Sequence, residues 1–181
     1  MTQFVHLLPT DDDSNVHALA RPAIDPARLA AANINPVTGL ATDYLNHFNE
    51  AIMLLEMVPE IPDCIQDLMA WQPLSYAEHF AASGFKDREL AIAAYELAEP
   101  RVRERLDDLA NVMNAMLVST SEAMEHSSTA HAAVALAQDA LTRLKPLVAQ
   151  AGALINGAGA AAVENAETGA TQAAVDALLE R

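Results

Sequence analysis

The chain has 181 residues, and 25 acidic against 10 basic side chains give it a formal net charge of −15; such acidity repels phosphate backbones and anionic lipid, so neither nucleic acid nor a membrane surface is an expected partner. Apolar residues make up 52% and aromatics only 4%, which excludes global disorder and leaves Ala, Leu, Val and Met to fill a core better suited to packed helices than to a β-sandwich. Cys64 is the single cysteine, so there is no intrachain disulfide and a reducing compartment fits.

Residues 1–36 carry Pro9, the triplet Asp11-Asp12-Asp13, Pro22, Pro26 and Pro36 without a sustained apolar period. They are expected to form a flexible acidic arm with at most one short helix near 26–32. The first residues lack a basic segment followed by an apolar run, so no secretory signal is expected and a cytoplasmic location is. The weakly apolar stretch 147–163 is mostly Ala and Gly, with Gln150 and Asn156 inside it, and is a poor membrane span.

The expected bundle domain covers 37–156. Tyr44, Phe48, Ile52 and Leu55 recur at helical spacing and predict a helix over 41–57, closed by Pro59 and Pro62. A short helix is expected over 62–71. Ser75-Tyr76-Ala77-Glu78 is a capping-box pattern and opens a further helix reaching about 98, with a bend or break at Ser83-Gly84. Glu99-Pro100 starts the next one, because proline suits a first helical turn.

Two heptad-like series follow. Leu106, Leu109, Met113, Met116, Thr120 and Ala123 alternate steps of three and four over a helix predicted at 100–125. After the polar link His126-Ser127-Ser128-Thr129, Ala130, Val134, Ala137, Leu141, Leu144, Val148, Ala151 and Ile155 repeat the pattern over 129–155, with Pro146 predicting a kink or break. Residues 157–181 read as an Ala/Gly-rich tail, weakly helical. Gly157-Ala158-Gly159 is no dinucleotide fingerprint, since a helix and not a strand precedes it. The fold class is therefore all-α: a bundle of about four main helices, up-down, ending in an antiparallel hairpin patterned in heptads.

Asp43, His47 and Glu50 fall within ~60° of one another on a helical wheel. One helix could thus offer three ligands to a divalent metal, with His79 the candidate from the next helix and Glu78, His126 and His131 further partners. A water-facing stripe explains the same residues without a metal, and neither Glu-x-x-His nor His-Glu-x-x-His occurs. His47 as a phosphoacceptor is disfavoured: its neighbours are Asp43 and Glu50, and no Lys or Arg lies between Arg28 and Lys86.

Met53 and Met57 lie on the polar side of the first helix and, with Met113 and Met116, are candidate interface residues. Trp71, Tyr76, Phe80 and Phe85 either line a small-ligand pocket or plug the end of the bundle. There is no P-loop, nucleophile elbow or paired-cysteine motif. The preferred expectation is a non-catalytic interaction or regulatory protein acting through helix faces, self-associating as a homodimer. The alternatives are a His/carboxylate metal-binding bundle and a bundle with a ligand pocket near Trp71 and Phe80.

Overall fold

The computed structural model describes residues 24–158, and the expectations for an arm over 1–23 and a tail beyond 158 lie outside them. Those residues fold into α-helices, with no strand among them and one isolated antiparallel bridge, Ile34 to Ala41. No described helix is long and apolar enough to cross a membrane.

The packed region begins earlier than the expected boundary at 37. Helix α1 (Pro26–Ala31) opens on Asp25, whose side chain accepts from Ala27 N at 2.9 Å, with Pro26 in the first turn. It ends at Asn33, which adopts a positive φ. Leu29 and Ile34 are buried in the core. Asn35 Oδ1 then accepts from Val37 N and Thr38 N, a local turn that needs no tertiary help. Thr38 Oγ1 donates to Ile155 O at 2.7 Å, tying this loop to the far end of the described chain. Gly39 has φ +72°, and a Cβ there would meet Ala94 O at 2.9 Å, so the loop approaches its neighbour closer than any other residue permits. Residues 24–36 carry enough capping and turn chemistry to dock, although they lack a periodic apolar pattern.

A 3-10 turn, Thr42–Tyr44, leads into α2 (Leu45–Met57). Helix α3 is Cys64–Ala70 and α4 is Tyr76–Ala82. Ser75 makes the expected capping box: its hydroxyl accepts from Glu78 N, and Glu78 accepts from Ser75 N at 2.8 Å. The helix expected from 75 to about 98 is two helices, α4 and α5 (Arg88–Leu97). Ser83 N donates to His79 O, and Ser83 Oγ accepts from Phe85 N, turning the chain out of the helix.

Helices α6 (Pro100–Glu125) and α7 (Ala130–Ile155) have 26 residues each and are ~39 Å long at the ordinary helical rise. Pro146 is exposed and α7 continues through it without a break. Helix α7 packs along α6 and against α2, while α3 leans on α2 and α6 and α4 on α5. Leu106, Leu109 and Met113 from the first series, and Ala137, Leu144, Ala151 and Ile155 from the second, are buried inside the single chain. Small alanines alternate with bulky leucines along these helices, which lets them approach closely and fill the space between.

Candidate functional site

The most distinctive chemistry lies where the first turns of α2 and α4 meet. Trp71 leaves α3 in an extended conformation and turns its indole back on α2. Its Nε1 donates to His47 O at 3.2 Å, and its ring stacks on the His47 imidazole with centroids 4.5 Å apart and planes inclined by 24°. Tyr44 donates its hydroxyl hydrogen to Leu74 O at 2.9 Å. These two bonds fasten residues 71–74 to α2, and the capping box at Ser75 then starts α4 alongside it.

His79 projects from α4 into this corner. Its ring centre is 5.9 Å from that of His47, and Tyr44 meets it edge-on at 5.6 Å. His79 Nε2 stands 3.5 Å from Asp43 Oδ2, while Asp43 Oδ1 accepts from Asn46 Nδ2. At 3.5 Å the His79–Asp43 contact is ionic proximity without hydrogen-bond alignment: the Nε2 atoms of both His47 and His79 are buried without a hydrogen-bond partner. Only 7% of His47 is exposed.

Burial lowers the His47 pKa to about 4; the neighbouring His79 pushes the same way, and a backbone hydrogen bond with Gln72 partly opposes both. His47 is therefore an unprotonated imidazole at neutral pH.

Of the four residues proposed as metal ligands, Asp43, His47 and His79 are brought together and Glu50 is not; Glu50 is exposed. Among the described residues no three His, Cys, Asp or Glu side chains converge tightly enough to hold an ion as they stand.

The pocket expectation divides. Trp71 and Phe85 are half-buried, but Tyr76 and Phe80 are closed off completely. Tyr76 accepts from Ala41 N at 2.8 Å and stacks on Tyr95 at 4.7 Å, and Phe80 is packed between Tyr76, His79 and Phe85. These rings pack on one another and fill space that small alanine side chains leave open.

The interface candidates divide as well. Met113 has no exposed surface and belongs to the core, and Met116 is half-buried and packs against that core. Met53 is 52% exposed and Met57 half-buried. Ile61, which is 48% exposed, continues the same strip, since Ile61 N donates to Met57 O and holds a helical turn beyond α2.

A second polar centre escaped the sequence reading. Tyr95 donates to Asp107, with oxygen–oxygen distances of 2.7 and 2.8 Å to the two carboxylate atoms. Burial, the hydrogen bond and the carboxylate charge together push its phenol pKa up. A cleft of about 400 Å³ runs beside this pair, lined by Tyr44, Glu78, Asn111 and Asn114 among others. Asp107, Asn111 and Asn114 at steps of four and three were the legible signal: a polar stripe on a helix otherwise scored for its apolar one.

No protein-family model matches the chain, and comparison with characterised proteins and with solved structures finds no match.

Proposed function

We propose that this chain is a non-catalytic interaction protein that self-associates through one face of α2. The observation that carries this reading is the strip Met53, Met57 and Ile61. Two of its members are about half exposed although large and apolar, and they follow one another at steps of four along a single turn-continuous segment. Methionine at such a strip suits an adaptable contact. Glu56 and Lys145 flank it with an ion pair at 2.6 Å, a polar rim of the kind that borders an apolar contact.

The scaffold we propose beneath this face is an up-down bundle of four main helices in which α6 and α7 form an antiparallel hairpin. The close lengthwise packing of the two supports it. We further propose a cytoplasmic protein whose partner is a second copy of itself, with neither nucleic acid nor membrane engaged; the net charge of −15 supports those exclusions.

Sedimentation of the full chain at tens of micromolar tests the reading. A homodimer that Met53→Glu and Ile61→Glu convert to monomer is the expected result. A strict monomer at that concentration, or a dimer indifferent to both substitutions, refutes it.

A further inference from the structure

We propose that His47, His79 and Asp43 form a binding site for a late first-row transition ion of the nitrogen-seeking kind: copper(II), nickel(II) or zinc(II). The site is independent of the α2 strip, and it stands or falls separately from self-association.

Three observations carry it. The first is the pair of orphaned nitrogens. A buried polar atom without a partner costs roughly 1–3 kcal/mol, and native interiors hold few of them. Here two lie in one corner, on rings 5.9 Å apart from different helices. Imidazole Nε2 is a preferred donor for these ions.

The second is the contact between His79 Nε2 and Asp43 Oδ2. Its 3.5 Å length, without hydrogen-bond alignment, is a poor ion pair but a natural ligand–ligand edge. Two donors each ~2.1 Å from a tetrahedral ion stand roughly 3.4 Å apart. Asp43 Oδ1 is held by Asn46, which fixes the carboxylate and leaves Oδ2 for His79.

The third is how near the two rings already stand. Two imidazoles sharing a tetrahedral ion have ring centres roughly 5 Å apart, against 5.9 Å here. The described side chains do not form a converged triad as they stand; an ion would have to draw the two rings and the Asp43 carboxylate together. The missing partner of His47 Nε2 then becomes the ion itself. The set of two nitrogens and one oxygen leaves a fourth position for water or a small ligand. Glu50 is no part of it.

The stacked tryptophan supplies the test. Trp71 is the only tryptophan in the chain and its ring lies 4.5 Å from that of His47. A copper(II) or nickel(II) ion on His47 therefore sits within quenching range of the indole. Titrating the full-length, untagged, metal-free protein with nickel(II) chloride at neutral pH should quench its fluorescence saturably with one equivalent, and zinc(II), which has a filled d shell, should displace the nickel and restore the signal.

His79→Gln should abolish the saturable phase, and Asp43→Asn should weaken it about tenfold, within the usual range for losing part of a metal's ligand set. Asp43 is partly exposed, so its variant keeps the test decisive if His79→Gln fails to fold. X-ray absorption of the wild-type complex should show two imidazole nitrogens. No saturable quenching, quenching unchanged in both variants, or a bound ion without imidazole ligands overturns the proposal.

Discussion

The α6–α7 pair and the corner between α2 and α4 are built on opposite principles. The helix pair repeats alanine, leucine and methionine on a fixed step, and its buried residues are almost wholly apolar. The corner gathers two histidines, a tryptophan, a tyrosine and two phenylalanines in ring-to-ring contact, and leaves two nitrogens unpaired within it. Periodic aliphatic packing gives stability with no directional chemistry. The aromatic corner accepts a polar desolvation cost that a purely structural cluster would avoid by using phenylalanine in place of histidine. The difference teaches where chemistry is held in this fold: in the irregular half, braced by the regular one.

The largest effect should come from breaking the regular half. Leu144→Ala, at a position with no exposed surface, should lower unfolding stability by about 2–5 kcal/mol, read by chemical denaturation. A cost under about 1 kcal/mol would mean that α7 is not the brace described.

Acid should break the other half. The native His47 pKa of about 4 lies below the ordinary 6.5. The folded state therefore prefers the neutral ring, and the unfolded state binds the proton first as pH falls. This contribution to stability is complete above pH 6.5, is lost progressively down to about pH 4, and is flat below that. The loss is at most about 3 kcal/mol, with His79 the titratable group that acts on the ring. In His47→Gln the decline over that window should shrink; an unchanged pH profile would remove His47 from the account.

Gly39 tests how the loop after α1 is joined to α5. Gly39→Ala would combine a positive φ with a 2.9 Å approach to a backbone oxygen that cannot swing aside. A cost of about 1–3 kcal/mol is expected from thermal or chemical unfolding.

The smallest effect concerns the entry to the corner. Ser75→Ala removes the capping hydroxyl of α4 and should cost about 1 kcal/mol. It should also loosen His79, seen as a weaker nickel response in the fluorescence titration.

The long helices were legible because periodicity and punctuation agree along them: Pro100 begins α6, the polar link ends it, and the apolar steps lie between. The capping box at Ser75 was equally plain, being a local pattern with a local cause. The docking of residues 24–36 was not, since Leu29 and Ile34 are isolated apolar residues among prolines and only tertiary contact decides their burial. The heptad steps of α6 and α7 were legible as stripes, whereas what they face is a tertiary fact: Met113 lies in the core of its own chain. In the site, Asp43 on the 3-10 turn and His47 in the first turn of α2 lie four residues apart and could be paired from spacing. Their meeting with His79 depends on the Trp71 and Tyr44 hydrogen bonds that turn residues 71–74, which no local pattern encodes. Glu50 failed for the converse reason, as nearness on a wheel does not turn a side chain inward.

The hydrogen bond from Thr38 to Ile155 has a kinetic consequence. It joins residues 117 positions apart, so its closure must wait until nearly the whole described chain is in place. Helices α6 and α7 can find each other across a short link, whereas the loop at 33–41 needs the far end of α7 as its anchor. The loop is thus expected to dock last during folding and to release first during unfolding. Hydrogen exchange should find the amides of Gly39 and Leu40 opening at lower free energy than those in the middle of α6, despite their burial.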